Sequence, residues 1–577
     1  MNDTNNSRTD PYADQPWLAS YAPDVKPDLE PLPDANLGDL VRRISRLYSD
    51  RTAFVTCLEN GISGSLTYGK ADWLSDAFAA YLRFHLGLEQ GERVAVQLPN
   101  CNAYPVAIFG ILKAGLVLVN VNPLYTPHET QHQLADSGAR VLVALDLFGD
   151  KLADSIVGTA VQTVLLASVA TLLPTPKRWL VQGVMRLKGL IPHATVSATA
   201  LEQALSEGRQ HAHQLPEQVP RSLDDLAALQ YTGGTTGPAK GAMLSHGNLL
   251  ANLAQTRSVM APAIDPGAET VLTALPLYHI FAFTYNLMAF YSMGCRNILC
   301  PSPRPPSKLR KAFQGFQVTQ FAGVNALFHA LAKEPWFRDT PPPLRQTVAG
   351  GTALHERVAE EWRDVVGHYP CEGYGLSETS PVLTVNHPSG TIRLGSIGLP
   401  VPGTRVRLVD ADWQPVAIGE VGELTAAGPQ VFHGYWNKPE ETERAIRDGF
   451  FATGDMAVMD TDGFFHIVDR KKDMIDVSGF NVYPNEVEGI LSQHAGVDEA
   501  AVIGMPDTEV GGERVCAYVV ASDPELTREA LIAFARERLT GYKVPQTIWF
   551  TDELPKSPVG KVLRKDLRQQ AAAADDS

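Results

Sequence analysis

Little in this chain points to a disulfide scaffold, export or a membrane span. Its six cysteines, Cys57, Cys101, Cys295, Cys300, Cys371 and Cys516, lie scattered through 577 residues. They have neither the paired spacing of zinc sites nor the density of a disulfide-stapled domain, and a reducing cytoplasm fits best. The opening MNDTNNSRTDPYADQPW is polar and acidic; it lacks the basic start and apolar run of a secretory signal, which predicts no export. Apolar stretches such as Val106 to Val121 are broken by Lys113 and glycines, short of the roughly 18 uninterrupted apolar residues of a membrane helix. An excess of basic residues is also absent: 49 Lys and Arg face 64 Asp and Glu, a net charge of −15. No broad nucleic-acid surface is expected, because such binding depends on neutralising phosphates. Anionic substrates must be met by local groups.

What is present is an ordinary globular composition, 44% apolar and 20% charged, in a chain too long for one core. Residues 1–34 hold six prolines and many Asp and read as an extended arm before an amphipathic segment at Leu37 to Tyr48. Short Val/Ile/Leu runs (Arg93 to Gln97, Gly115 to Val121, Ala139 to Ala144, Thr163 to Ala167) then alternate with helix-like stretches, the pattern of parallel strands with crossover helices. Around Ile397 to Val431 shorter strand-like pieces joined by Pro, Gly and Asp suggest a small β subdomain. Beyond Asp469 the order helix (Glu486 to His494), strand (Ala500 to Ile503), strand (Val515 to Val520), helix (Thr527 to Leu539), strand (Thr547 to Phe550) predicts a compact α+β unit. The expected division is an arm over 1–34, a large α/β domain over 35–469 and a small domain over 470–577.

The strongest local signal follows the strand-like Leu226 to Gln230: Tyr231-Thr232-Gly233-Gly234-Thr235-Thr236-Gly237-Pro238-Ala239-Lys240-Gly241. Glycines permit close backbone approach, while N–H groups, hydroxyls and an ammonium supply donors to polyphosphate oxygens. The Walker spacing G-x-x-x-x-G-K-[ST] is not met, since Pro238 follows Gly237 and Gly241 follows Lys240. A nucleotide is the natural ligand, held by something other than a P-loop.

Together with Tyr374-Gly-Leu-Ser-Glu-Thr379, Thr453-Gly-Asp455, Asp469-Arg-Lys-Lys-Asp473 and Pro555-Lys-Ser-Pro-Val-Gly-Lys561, this loop resembles the motif series of the adenylate-forming ligases, in order and over most of the chain. Gln230 to Leu244, Thr273 to Phe281, Val468 to Glu486 and Leu539 to Val544 are similar to bacterial long-chain fatty acyl-CoA synthetases. The resemblance implies a large N-terminal domain with a small mobile C-terminal one, and activation of a fatty acid by ATP through an acyl-adenylate, followed by transfer to coenzyme A. It leaves open medium-chain or aromatic acids, or loading of a carrier protein.

Roles follow from the same resemblance. Glu378 is implied as the Mg²⁺ ligand, a hard cation requiring an anionic oxygen, and Lys561 as the cation that stabilises charge during adenylation. Thr232 to Gly237, Lys240, Ser377 and Thr379 are implied around the phosphates. Ser377 stands where Thr is more usual, and Ala239 where Pro is common before the lysine. Asp455 and Arg470 are implied at the ribose; Gly350, Gly351, Thr352, Gly373 and Tyr374 at the adenine. Lys472 takes the pivot position between half-reactions, and Ser478 and Gly479 the pantetheine path. CoA needs no protein base, because a thiol is a competent nucleophile once partly ionised.

For the acyl chain, the aromatic-rich segments His279 to Met288 and Phe321 to Leu331 are candidates, with His279, Phe283 and Val324 as wall residues; plain core is the alternative for both. In Lys177 to Ile191, Trp179, Leu180, Val184, Leu187, Leu190 and Ile191 share one helical arc with Lys and Arg on its flanks. That profile fits either a peripheral contact with the inner face of an anionic membrane or a core-packed helix with a basic outer face. A homodimer is left open.

Overall fold

A computed structural model of the chain describes residues 10–232, 239–477, 480–506, 512–557 and 561–575. Two large sheets form the body. The seven-stranded sheet runs Thr199–Ala200, Thr163–Ala167, Val141–Leu145, Arg93–Gln97, Val117–Asn120, Leu226–Thr232, Lys240–Ser245, parallel except for its last, hairpin pair. Its central strands are buried on both faces, which is why they read as unbroken apolar runs rather than alternating ones. The nine-stranded sheet runs Leu399–Pro400, Val382–Val385, Cys371–Gly375, Gln346–Ala349, Gln320–Gly323, Thr270–Thr273, Arg296–Leu299, Thr52–Cys57, Ser63–Thr67.

One helix, Ala103–Lys113, is buried along its whole length, as a sequence apolar on all sides requires. Its Lys113 ammonium meets Asp72 at 2.5 Å and Asp76 at 3.0 Å, so the buried cation is paired, the condition for holding a charge away from water. The body is thus α/β, with the strands expected at 93–97 and 163–167 in place and those at 115–121 and 139–144 trimmed or shifted by one or two residues.

The β subdomain reaches further than expected. Antiparallel strands Arg405–Val409, Gly422–Ala427, Phe450–Met459 and Phe465–Arg470 carry it beyond Val431 to Arg470. The proline-rich arm is not merely a surface strap. Tyr12 and Trp17 are buried in the core of this subdomain, and Trp17 packs edge-on to Phe465 at 5.9 Å between ring centroids. Gly463 accommodates it: a Cβ there would lie 2.5 Å from Trp17 Cα.

Past Arg470, strands Val497–Pro506, Glu513–Ala521 and Thr547–Phe550 form one sheet with helices Pro484–Leu491 and Arg528–Arg536 beside it. The order matches the α+β expectation. A two-stranded piece, Ile475–Val477 with Phe480–Val482, and a last helix, Arg564–Asp575, were not anticipated.

Candidate active site

A cavity of about 1520 Å³ opens where the hairpin Leu226–Thr232/Lys240–Ser245, the turn after Cys371–Gly375, the β subdomain and the C-terminal unit meet. Each wall brings groups suited to one part of a nucleotide.

On the hairpin, Thr232 and Lys240 are cross-strand partners. The Lys240 ammonium donates to Glu441 Oε2 at 3.0 Å and lies 4.6 Å from the Tyr435 ring centroid. Gly233, Gly234, Thr235, Thr236 and Gly237 lie outside the described residues.

The segment 374–379 turns sharply after its strand because position 375 must be glycine: a Cβ there would lie 2.0 Å from Pro381 O. The turn presents Ser377 and Glu378 to the cavity. Tyr435 donates its hydroxyl to Glu378 Oε1 at 2.7 Å, which orients the carboxylate and leaves Oε2 available. Among the described residues no cluster of three His, Cys, Asp or Glu could hold a metal. Glu378 therefore fits a cation that takes most of its ligands from phosphate oxygens and water, the habit of Mg²⁺.

Asp455 and Arg470 face each other across paired strands, with Arg470 Nε 2.9 Å from Asp455 Oδ1 and the Tyr374 hydroxyl donating to Asp455 Oδ2. Burial first, then Asp455, pushes the Tyr374 hydroxyl far above the usual phenol range, so it stays a donor. Tyr374 thus supports the carboxylate expected at the ribose besides lining the cavity.

Gly350, Gly351, Thr352 and Gly373 also line the cavity. Gly351 has φ +82°, a conformation glycine adopts without strain. At Gly350 a Cβ would stand 3.1 Å from the Phe281 ring and 3.2 Å from Gly373 O, so glycines 350 and 373 hold a narrow slot open. Beneath it lies Glu372, which the sequence reading missed. It is buried and accepts the Leu354 N–H at 2.9 Å, and burial pushes its carboxyl up to about 8.

Lys561 reaches the cavity from the small domain, next to the Lys556–Val562 bridge. Ser557 Oγ accepts its N–H at 3.1 Å. Solvent reaches the side chain through the open cavity, yet protein encloses it closely enough that desolvation, then Arg470, lowers its pKa to about 8, while Asp455 and Glu378 act in the other direction. Lys472 also borders the cavity in the turn after Arg470; its neighbour Lys471 ties that turn to Glu423 at 2.7 Å. Ser478 and Gly479 lie outside the described residues.

Three expected residues do not line the cavity. Thr379 is fully buried; its hydroxyl accepts the Leu376 N–H at 3.0 Å and donates to backbone carbonyls of the turn, which leaves it a structural role. Phe283 is buried in the main core, as is Val324, while His279, Phe281 and Tyr285 border the cavity. Phe281 and Tyr285 are four residues apart, on one helical face, and Phe283 between them points the other way. His279 is held neutral: burial, then Lys561, lowers its pKa to about 4. Val259, Met260 and Val382 continue the apolar wall. Tyr435 and Glu441 were also missed; no local pattern marks either one.

Comparison with known proteins places this geometry. The AMP-binding enzyme model matches residues 41–436 and the AMP-binding enzyme C-terminal domain model residues 486–561. The long-chain-fatty-acid CoA ligase of Salmonella typhimurium is 47% identical, covering 97% of this chain and 99% of that protein. The Bacillus subtilis protein of the same description is 38% identical over 96% and 98%. Among solved structures, ATP-bound MatB from Rhodopseudomonas palustris superimposes with a TM-score of 0.80 at 28% identity, covering 93% of this chain and 99% of that one. Apo MatB superimposes less well, at 0.70.

Proposed function

This chain belongs to the AMP-binding enzyme family, and from that premise we propose that it activates a long-chain fatty acid with ATP and transfers the acyl group to coenzyme A. The observation that carries the reading is the convergence of Lys561, the Asp455–Arg470 pair and Glu378 on one cavity with an apolar wall.

In the first half-reaction an oxygen of the fatty-acid carboxylate attacks the α-phosphorus, the bond to the bridging oxygen breaks, and pyrophosphate leaves with the electron pair. As the carboxylate gives up its charge to the new bond, negative charge is shared with the α-phosphoryl oxygens and passes to the departing pyrophosphate. The Lys561 ammonium stabilises that charge from a fixed position, with Lys240 available to the departing phosphates. Asp455 accepts from the ribose hydroxyls while Arg470 and Tyr374 hold it in place; the 350–352 and 373–374 backbone receives the adenine. Glu378, braced by Tyr435, would hold a Mg²⁺ ion, which neutralises phosphate charge.

In the second half-reaction the CoA thiolate adds to the acyl carbon and AMP departs with the electrons of the acyl–oxygen bond. Lys561 belongs to the small domain, so removing it from the cavity by rotation near Lys472 would free a path for the thiol. The better fit to ATP-bound than to apo MatB supports reading this arrangement as the adenylating one.

The test is acid-dependent pyrophosphate release across a chain-length series and a set of aromatic acids, with and without CoA. Highest kcat/KM on long saturated acids with CoA-dependent thioester formation is expected; preference for an aromatic acid, or turnover indifferent to CoA, would overturn the assignment.

A further inference from the structure

The segment expected to be an amphipathic helix is one, and the structure leaves its apolar arc uncovered. The helix runs Thr175–Leu187. It ends in paired bonds from Gly189 N–H to Arg186 O and from Leu190 N–H to Met185 O, with Gly189 at φ +65°. This Schellman closure folds Leu190 back beside the last turn. Only one narrow face packs inward: Val181 is buried with Ala170 and Leu173, and Met185 joins them against Leu58 and Ile62. Trp179 (68% exposed), Leu180, Val184, Leu187 (89%) and Leu190 all stand in solvent. Five of the sixteen exposed large hydrophobic side chains among the described residues thus fall within twelve positions, an apolar patch of the kind that marks an interaction site.

The charge around the patch says what covers it. In a chain of net charge −15, no Asp or Glu occurs from residue 155 to residue 201, while Lys177, Arg178, Arg186 and Lys188 do. Arg178 is engaged by Glu202 at 3.7 Å, and Lys177 donates to Ser63 O at 2.7 Å. Arg186 and Lys188 are exposed and form no ion pair among the described residues. At 100° per residue Arg186 flanks one edge of the exposed arc and Lys177 and Lys188 the other. An apolar arc that includes a tryptophan, edged by cations and with no anion in its own segment, matches an anionic bilayer surface, where apolar side chains enter the acyl boundary and ammonium and guanidinium groups meet phosphates.

We propose that Thr175–Leu187 with Leu190 is a membrane-docking helix that seats this chain on anionic phospholipid. No helix among the described residues is long and apolar enough to cross a membrane, so attachment is peripheral. The helix is held on one side by Leu58 and Ile62, beside the edge strand Ser63–Thr67 of the nine-stranded sheet, and follows the strand Thr163–Ala167 near the far edge of the seven-stranded one. Four strand steps separate that strand from Leu226–Thr232 at the cavity, roughly 19 Å at normal strand spacing. Docking there leaves the catalytic groups untouched, and the inference stands whether the acid is long-chain or not.

Flotation of the full chain with phosphatidylglycerol–phosphatidylcholine vesicles, against phosphatidylcholine alone, tests it. Binding is expected on the anionic vesicles, weakened but not abolished by high salt. The combined variant Trp179→Ser, Leu180→Ser, Leu187→Ser should lower vesicle partition about tenfold or more, and Arg186→Gln with Lys188→Gln roughly three- to tenfold, an effect that salt erases. Both should keep CoA ligation of a short soluble acid within about twofold of the parent, consistent with exposed sites. Leu187→Glu, at the most exposed position, gives a second apolar variant that cannot disturb packing. The proposal is overturned if the parent ignores anionic vesicles, if both apolar variants bind like the parent, or if they lose soluble-acid activity. A parent dimer that these variants convert to monomer, with vesicle binding unchanged, would assign the patch to a second copy and overturn it too. Failure on vesicles with chain-length preference intact would leave the catalytic reading standing.

Discussion

The large domain and the small one serve the same cavity by different means. The large domain supplies carboxylates already braced: Glu378 by Tyr435 at 2.7 Å, Asp455 by Arg470 at 2.9 Å, each buried on or beside a strand. The small domain brings Lys561, an exposed residue beside the Lys556–Val562 bridge, to a border that its Lys472 shares. Its own body is tied to the large domain by contacts such as the half-exposed Lys333–Asp498 pair at 3.2 Å, an interaction of the kind that contributes little to stability. The difference suggests a division of labour. On the proposed function, the groups that would bind nucleotide through both half-reactions sit on or beside paired strands, and the group needed in only one sits on the domain that would move.

The sharpest way to break that comparison is Lys561→Ala. Adenylation is expected to fall by about 10²- to 10³-fold, the scale of losing one charge-stabilising donor, while thioester formation from supplied acyl-adenylate persists. Equal loss in both half-reactions, measured by pyrophosphate release and by CoA consumption from the adenylate, would show Lys561 to be structural. Tyr435→Phe probes the other side. It removes the brace on Glu378 and should weaken Mg²⁺ dependence roughly 10- to 100-fold, as loss of an orienting partner does, read from a Mg²⁺ titration of the rate and from Mn²⁺ binding. Glu378→Gln should act in the same direction, because a neutral amide is a poorer ligand for a hard cation.

A smaller effect concerns pH. In the role proposed for it Lys561 must carry its charge, and desolvation and Arg470 lower its pKa to about 8. Adenylation should therefore decline as pH rises through about 8, whereas the thioester half-reaction should hold or rise there as the thiol of CoA ionises. Lys561→Arg, charged at all these pH values, should remove the decline from whatever adenylation activity remains.

How much of this was legible beforehand follows the same division. Thr232, Lys240, Ser377, Glu378, Asp455 and Arg470 could be brought together from sequence because they sit in short motifs whose spacing is set by local turns, as Gly375 shows. The acyl wall was not. The facing side chains there depend on helix phase, and Phe281 and Tyr285 line the cavity while Phe283, between them, is core. Thr379 misled because a hydroxyl in a phosphate motif looks available until its bonds to Leu376 and Pro381 are seen. The arm reads only as an extended segment because proline and aspartate dominate it, although Tyr12 and Trp17 carry the signal of burial. For Thr175–Leu187 the arc was plain and its cover was not, since what packs on a helix is decided by strands far away in sequence.

Glu372 sets the limit of the comparison, because its perturbed pKa arises from burial as that of Lys561 does but has the opposite use. Its carboxyl is raised to about 8 from an ordinary 4.5 by desolvation, against a single Leu354 N–H that favours the charged form. In the unfolded chain it ionises near 4.5; in the folded one it stays protonated to about 8. A group with a raised folded pKa contributes stability that is complete below its unfolded value and lost as pH climbs through its folded one. The large domain should accordingly lose stability between pH 4.5 and 8 on account of this residue alone. Glu372→Gln keeps a carbonyl oxygen for Leu354 and carries no charge at any pH. It should raise Tm at pH 8 by about 2 °C or more and leave Tm nearly unchanged at pH 5, on the scale of roughly 1 kcal/mol or above for a buried carboxyl. The difference between variant and parent Tm, followed from pH 5 to pH 8 without nucleotide, is the measurement. A difference that is flat across that range would mean that water reaches Glu372 through the cavity and that its carboxylate, like those of Glu378 and Asp455, is part of the charged wall.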